Sequence, residues 1–168
     1  GEIVASNPCL LGDTLVWTSV GPRRIDELAS MQTRGEALPL VVSWEKNGRV
    51  PMLVPISRAW RTGLKHRFVK VLTASGWEID CTPDHRFLLY CGTWREAGQL
   101  RVGDRLQVAS GDIEGFDRVE MLTPWESGET QPVYDLEIPT THCFAAGRKF
   151  SDSQLAPPIV HNCSEYLF

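Results

Sequence analysis

The stretch Arg67-Phe68-Val69-Lys70-Val71-Leu72-Thr73-Ala74-Ser75-Gly76-Trp77-Glu78-Ile79-Asp80-Cys81-Thr82-Pro83-Asp84-His85 reads as two strands joined by a turn. Residues 67–73 and 77–81 form the two arms of a hairpin, and Ala74-Ser75-Gly76 turns the chain between them. Thr82-Pro83-Asp84-His85 then interrupts the pattern, and residues 86–90 resume a strand. The same alternation of short β-rich runs and turns extends in both directions.

Upstream, Cys9-Leu10-Leu11 opens an apolar segment and Gly12-Asp13 makes a turn. Residues 14–18 are β-rich, and 19–22 form another turn. Ile25, Leu28 and Ala29 have helical spacing, which predicts one short helix ending before Gly35. Residues 38–44 read as a strand, with an Asn47-Gly48 hairpin signal after it. Pro51 and Pro55 break residues 50–60 into a bent or edge strand. Downstream, residues 93–106 hold a short helical turn and a strand, and 110–114 are a polar break. Residues 116–124 and 131–138 are strands separated by a loop at 125–130. A short strand at 143–146 and an irregular loop at 147–158 lead to Ile159-Val160. Many short strands with little helix define an all-β domain. Gly12-Asp13-Thr14-Leu15 and Gly103-Asp104-Arg105-Leu106 are a faint internal repeat, in keeping with two related halves.

The chain has 168 residues, 42% of them hydrophobic, enough for one domain with a sizeable core. A net charge of -4 argues against nucleic acid as the main partner, since phosphate contacts need clustered Lys and Arg. No run of about 18 apolar residues exists, so no membrane span is expected. The first residues show no basic region followed by an apolar stretch, so no signal peptide is expected. Five cysteines without tight pairing argue against a secreted disulfide framework. The reading is a cytoplasmic monomer with free thiols.

Four groups of residues could carry chemistry. In Val160-His161-Asn162-Cys163, an Asn can attack its own carbonyl through its side-chain nitrogen and cleave the chain after itself. His161 can donate a proton there, and Cys163 is a nucleophile that this cleavage would release. Cys9 is a second nucleophile, able to attack the Pro8 carbonyl and turn a peptide bond into a thioester; the bland alternative is a small buried hydrophobe. In Thr82-Pro83-Asp84-His85, a hydroxyl and an imidazole on one tight turn aim at a single peptide group, with His85 as general acid. They could equally be a capped turn with a solvated His. Asp135 could manage a thiol proton and His142 assist the Asn162 carbonyl, or both could lie on the wet face of an alternating strand. Cys81, Cys91 and Cys143 have no assigned role. Cys81 and His85 have a plausible spacing for zinc, but no Cys-x-x-Cys accompanies them, and no metal is expected.

Taken together and in order, these pieces resemble an intein, the self-splicing element of the Hint (Hedgehog/intein) family. Cys9-Leu10-Leu11-Gly12-Asp13-Thr14 looks like the N-terminal motif, and residues 76–88, with Thr82 and His85, like the second block. Val133-Tyr134-Asp135-Leu136-Glu137 with His142-Cys143-Phe144 looks like the penultimate block, and Val160-His161-Asn162-Cys163 like the C-terminal junction. The resemblance implies a Hint-type horseshoe of short, bent strands in two pseudo-two-fold halves with one or two short helices. It implies residues 9–162 as the splicing domain, with 1–8 and 163–168 as remnants of the flanking host. It also implies the chemistry: Cys9 forms the thioester with help from Thr82 and His85, and Cys163 attacks it, with Asp135 managing its proton. Asn162 then cyclises, helped by His161 and His142. No cofactor is needed, and the only partners are the chain's own flanks.

The departures are informative. Pro8 precedes the nucleophile, and a prolyl thioester is expected to be a sluggish acyl donor. Cys143 stands where the family often has Asn, and residues 148–158 exceed the usual short link. Nothing near residues 110–115 has the size of a homing endonuclease, which implies a mini-intein. Joining the flanks gives Asn7-Pro8-Cys163-Ser164-Glu165, which resembles the active-site segment of ribonucleotide reductase. The competing expectations are a Hint-type domain that cleaves without ligating, a Cys-His hydrolase, and a metal-stabilised binding module.

Overall fold

A computed structural model describes residues 8–110, 115–149 and 155–162. Its frame is a pair of long antiparallel strands, β6 (Arg58–Thr73) and β11 (Phe116–Glu137), which hydrogen-bond along almost their whole length. The hairpin predicted from residues 67–81 is present. The strand β7 (Trp77–Cys81) folds back on β6, with Val69 opposite Cys81 and Val71 opposite Ile79. Gly76 closes the turn at φ 104°, a conformation that favours glycine.

Three strand groups are built on this frame. The short strand β1 (Leu10–Leu11) pairs with β11 and also reaches β7, so β1, β11, β6 and β7 close on one another. Here β10 (Arg105–Gln107) adds to β11 and β13 (Arg148–Lys149) to β7. A second sheet runs β12 (Cys143–Ala145), β14 (Ile159–His161), β8 (Arg86–Leu88) and β9 (Trp94–Glu96). The third runs β3 (Gly21–Arg24), β2 (Leu15–Thr18), β4 (Val41–Glu45) and β5 (Val50–Val54). One helix, α1 (Ile25–Thr33), buries Ile25, Leu28 and Ala29, the face that the spacing predicts. Asp26 and Glu27 in its first turn suit the positive end of the helix dipole, and Gly35 at φ 77° ends it. A 3₁₀ turn, Ala97–Gln99, is the predicted helical turn.

The faint repeat has a structural counterpart. Each copy is a turn followed by a strand, and each turn is closed by a backbone hydrogen bond, Thr14 N–H to Leu11 O at 3.1 Å and Asp104 N–H to Arg101 O at 3.0 Å, although the two bonds are one residue out of step with the sequence repeat. The core draws Leu10, Val16, Val71, Ile79, Phe87, Leu106, Phe144 and Val160 from all three sheets.

The structure corrects three expectations. Residues 125–130 are not a loop between two strands; they belong to β11, with a register shift between Glu126 and Gln131 that absorbs the extra residues. Residues 58–66 continue β6 rather than ending a bent strand at Trp60. The predicted turn at 19–22 is shorter, because Gly21 already begins β3. The first two share a cause. The middle of the β6–β11 ribbon is exposed, with Leu64 52% accessible. Backbone pairing holds it, so no alternating apolar pattern marks it in the sequence. The polar break expected at 110–114 lies mostly outside the described residues.

Candidate active site

One segment, from Thr82 to Phe87, holds both the first and the last strands of the described residues. At its start, the Cys9 N–H donates to Thr82 Oγ1 at 2.9 Å, and the Thr82 N–H donates back to the Cys9 carbonyl at 3.0 Å. At its end, Phe87 of β8 pairs with Val160 of β14. His85 lies between these anchors. Pro83 and Asp84 make the turn, in which the His85 N–H donates to Thr82 O at 3.0 Å. Thr82 Oγ1 passes its own proton to Asp84 Oδ1 at 2.7 Å. A short chain of donors thus runs from the Cys9 amide through Thr82 to Asp84.

Cys9 is fully buried with Phe68 and Val133, and Trp125 stacks on Phe68 with centroids 4.8 Å apart. Burial pushes its thiol up to about 12, helped by the charge of Asp135 and opposed by a hydrogen bond with Thr62. Asp135 is itself fully buried on β11, opposite Trp60.

His85 is also fully buried, and neither ring nitrogen has a hydrogen-bond partner among the described residues. Burial lowers its pKa to about 3, so the ring is neutral at pH 7. A neutral imidazole carries one donor and one acceptor, the equipment of a proton relay. The same shift makes stability pH-dependent. Between about pH 6.5 and pH 3 the unfolded chain binds a proton at His85 that the folded chain refuses, so stability falls on acidification, by a few kcal/mol in order of magnitude. Urea midpoints measured from pH 7 to pH 4 are expected to decline, and His85→Gln is expected to flatten that slope.

At the other end, β12 and β14 run antiparallel with Cys143 opposite His161, which sets His142 beside Asn162. The Asn162 N–H donates to the His142 carbonyl at 2.9 Å. The side-chain nitrogen of Asn162 donates to Ile138 O at 3.4 Å, and the residue is almost fully buried. His161 Nδ1 hydrogen-bonds the carbonyl oxygen of Asn162. A carbonyl only accepts, so this contact puts the proton on Nδ1. The Arg86 guanidinium reaches the same nitrogen only at 3.5 Å and is the weaker contact. Trp94 meets the His161 ring edge-on at 4.7 Å, and His142 stacks on it at 6.5 Å. His142 is exposed and has φ 60°, an uncommon conformation for a residue with a side chain.

Cys143, to which the sequence assigns no role, is buried. Its sulfur contacts Ser43 Oγ at 3.3 Å and Trp44 O at 3.6 Å, and burial raises its pKa. Cys81 is buried and points at Val69 O, whereas Cys91 is exposed. No disulfide joins any two of the described cysteines, and no three or more His, Cys, Asp or Glu gather as a metal site among the described residues. Cys163, the other nucleophile that the sequence suggests, lies outside them.

Thr62, Asp84, Arg86 and Ser43 escape the sequence reading. Asp84 and Arg86 flank residues that were singled out, so their position was a signal. Thr62 and Ser43 lie in strands with no motif.

An all-β chain whose first and last described strands meet on one Thr-x-x-His segment has the Hint-type fold of inteins. The bacterial intein-like domain from Clostridium thermocellum has the same fold, with a TM-score of 0.76 at 18% identity over 94% of this chain and 100% of that one. The DnaB intein from Synechocystis gives 0.72 at 21% over 94% and 99%, and the DnaX mini intein from Spirulina platensis 0.70 at 22% over 92% and 99%. No family model matches the sequence.

Proposed function

We propose that the chain is a mini-intein that excises itself and joins its flanks. Residues 9–162 are the element, and 1–8 and 163–168 belong to the host. The observation that carries this reading is the Thr82–Phe87 segment, which holds Cys9 at one end and the Asn162 strand at the other.

In the first step Cys9 Sγ attacks the Pro8 carbonyl, and the proton it loses ends on the Cys9 nitrogen. Thr82 already holds that nitrogen through its N–H. His85, neutral and without a hydrogen-bond partner among the described residues, relays the proton to the departing amine, and Asp135 governs the thiol proton. Cys163 then takes the acyl group. Asn162 Nδ2 attacks the Asn162 carbonyl carbon, whose oxygen His161 Nδ1–H stabilises as charge develops. The bond from that carbon to the Cys163 nitrogen breaks, and the proton from Nδ2 ends on the departing amine. That amine then takes the acyl group from the Cys163 sulfur as a new peptide bond. His142 supports this end through its carbonyl on the Asn162 N–H and its ring against His161. One peptide bond replaces another, so no cofactor takes part.

The size supports a form without an endonuclease, since the matched structures are covered at 99–100% of their length. The joined flanks, Asn7-Pro8-Cys163-Ser164-Glu165, suit a ribonucleotide reductase host in the cytoplasm, with Cys163 becoming a host thiol after splicing. The element acts as a monomer, on its own flanks alone.

Mass spectrometry of a chain with tagged flanks tests the reading. A joined product is expected, with an excised fragment ending in the Asn162 succinimide, one water lighter than the acid. Separate tails with no joined product indicate cleavage without ligation, and turnover of an added protein indicates a hydrolase. Pro8→Gly is expected to speed transfer of the acyl group to Cys163, because a prolyl thioester is hindered. An unchanged rate of branched-intermediate formation refutes that expectation.

A further inference from the structure

The ribbon of β6 and β11 breaks register beside the nucleophile. Gly63 pairs with Val133 and Arg61 with Tyr134, which leaves Thr62 as the extra residue of a β-bulge. The same two β11 residues pair on their other side with Leu11 and Leu10, so Cys9, next in the chain, is delivered to the bulge. Bulges re-aim side chains, and they are enriched beside active sites. Here the bulge puts Thr62 Oγ1 2.8 Å from Cys9 Sγ and 3.4 Å from Val133 O.

We propose that Thr62 is a catalytic residue of the first step, its hydroxyl donating to the Cys9 sulfur as that sulfur loses its proton and attacks Pro8. The proposal rests on the splicing reading of Cys9. In the resting thiol, the S–H donates to Thr62 Oγ1, and the Thr62 hydrogen goes to Val133 O. On ionisation that hydrogen turns to the sulfur. The bond it gives up is long and weak, and the one it gains is to a charged atom. The S–H bond breaks, a bond forms from Sγ to the Pro8 carbonyl carbon, and the bond from that carbon to the Cys9 nitrogen breaks. The proton from sulfur ends on that nitrogen, so the step is an isomerisation that consumes nothing.

The surroundings create the need for such a donor. The sulfur is buried, and the nearby charges are mixed: Asp135 and Asp84 oppose ionisation, while Lys65 favours it. Thr62 is a close donor that acts directly on the sulfur.

The test compares Thr62→Val, which keeps the branched shape, with Thr62→Ser, which keeps the hydroxyl, in full chains carrying Asn162→Ala. Hydroxylamine-dependent cleavage at Pro8–Cys9 is followed from pH 6 to 10. Thr62→Val is expected to lose about tenfold in rate at pH 7 and to recover towards high pH, while Thr62→Ser stays within about threefold of the parent. In chains carrying Cys9→Ala with Asn162 intact, where cleavage after Asn162 proceeds without the first step, that cleavage is expected to keep its rate on Thr62→Val. Equal loss at both junctions overturns the proposal, because it marks a structural defect. No loss at Pro8–Cys9 overturns it as well. The Cys9 Cβ chemical shift, titrated in the same chains, separates this proposal from the splicing reading. If the parent never cleaves at Pro8–Cys9, the splicing reading fails. A Cys9 pKa that rises in Thr62→Val and not in Thr62→Ser still supports the hydrogen bond, and equal pKa values reject it.

Discussion

Replacing Asn162 by Ala is expected to stop cleavage after residue 162 altogether and to leave chemistry at Cys9 running. Alanine has no side-chain nitrogen, so the succinimide cannot close. No neighbour can stand in, because the group that attacks must be attached to the residue it cleaves. The loss should exceed about 10³-fold, more than the removal of one polarising donor, which costs about 10²–10³. The fold should survive, since alanine is smaller than the side chain it replaces and the hydrogen bond it gives up to Ile138 O is long, at 3.4 Å. Mass spectrometry should show thiol-dependent release of the upstream flank and no excised element. Release of the downstream flank at the normal rate would falsify the assignment of Asn162. The companion change His161→Gln should slow the same cleavage without abolishing it, because the ring polarises the carbonyl and does not attack it.

His85→Ala has the second large expected effect, a loss of about 10²–10⁴ in thioester formation at Cys9, the range of general acid–base contributions. Two observations set this size. The imidazole is fully buried with no hydrogen-bond partner among the described residues, so neither ring nitrogen is committed to a structural contact. The thiol is held protonated far above neutrality, so the proton must be moved for attack to begin. Trapping the thioester with hydroxylamine measures the step directly. The Cys9 N–H should keep its bond to Thr82, because Thr82 is held by its own backbone bond to Cys9 O and by Asp84. A fall in rate with that amide shift unchanged in NMR separates lost proton transfer from lost positioning. A variant as fast as the parent would remove His85 from the mechanism.

The candidate groups were legible because the proposed chemistry narrows the residue types: an Asn side chain can close a succinimide on its own carbonyl, and a thioester needs a Cys. The buried arc of α1 was legible too, since Ile25, Leu28 and Ala29 share one face at helical spacing. The long ribbon was not. Residues 125–130 look like a loop because Glu126, Ser127, Gly128 and Glu129 have no apolar alternation. They lie within β11 because β6 pairs with Trp125 and Glu126 on one side of a register shift and with Gln131 on the other, a partner that local patterning does not reveal.

The sequence by itself determined which groups are present and in what order, and it marked the turns that separate the strands. Residue identity and local propensity are enough for that. The tertiary structure decided what those groups meet. It brought residue 9 and residue 160 onto one six-residue segment through pairings far apart in the chain. It sealed Cys9 against Phe68 and Val133, left the His85 ring without a partner among the described residues, and turned Thr62 onto the sulfur through a bulge. Desolvation and register are properties of packed neighbours. They have no local signature, and they decide whether a Cys, a His and an Asn are core residues or a reaction.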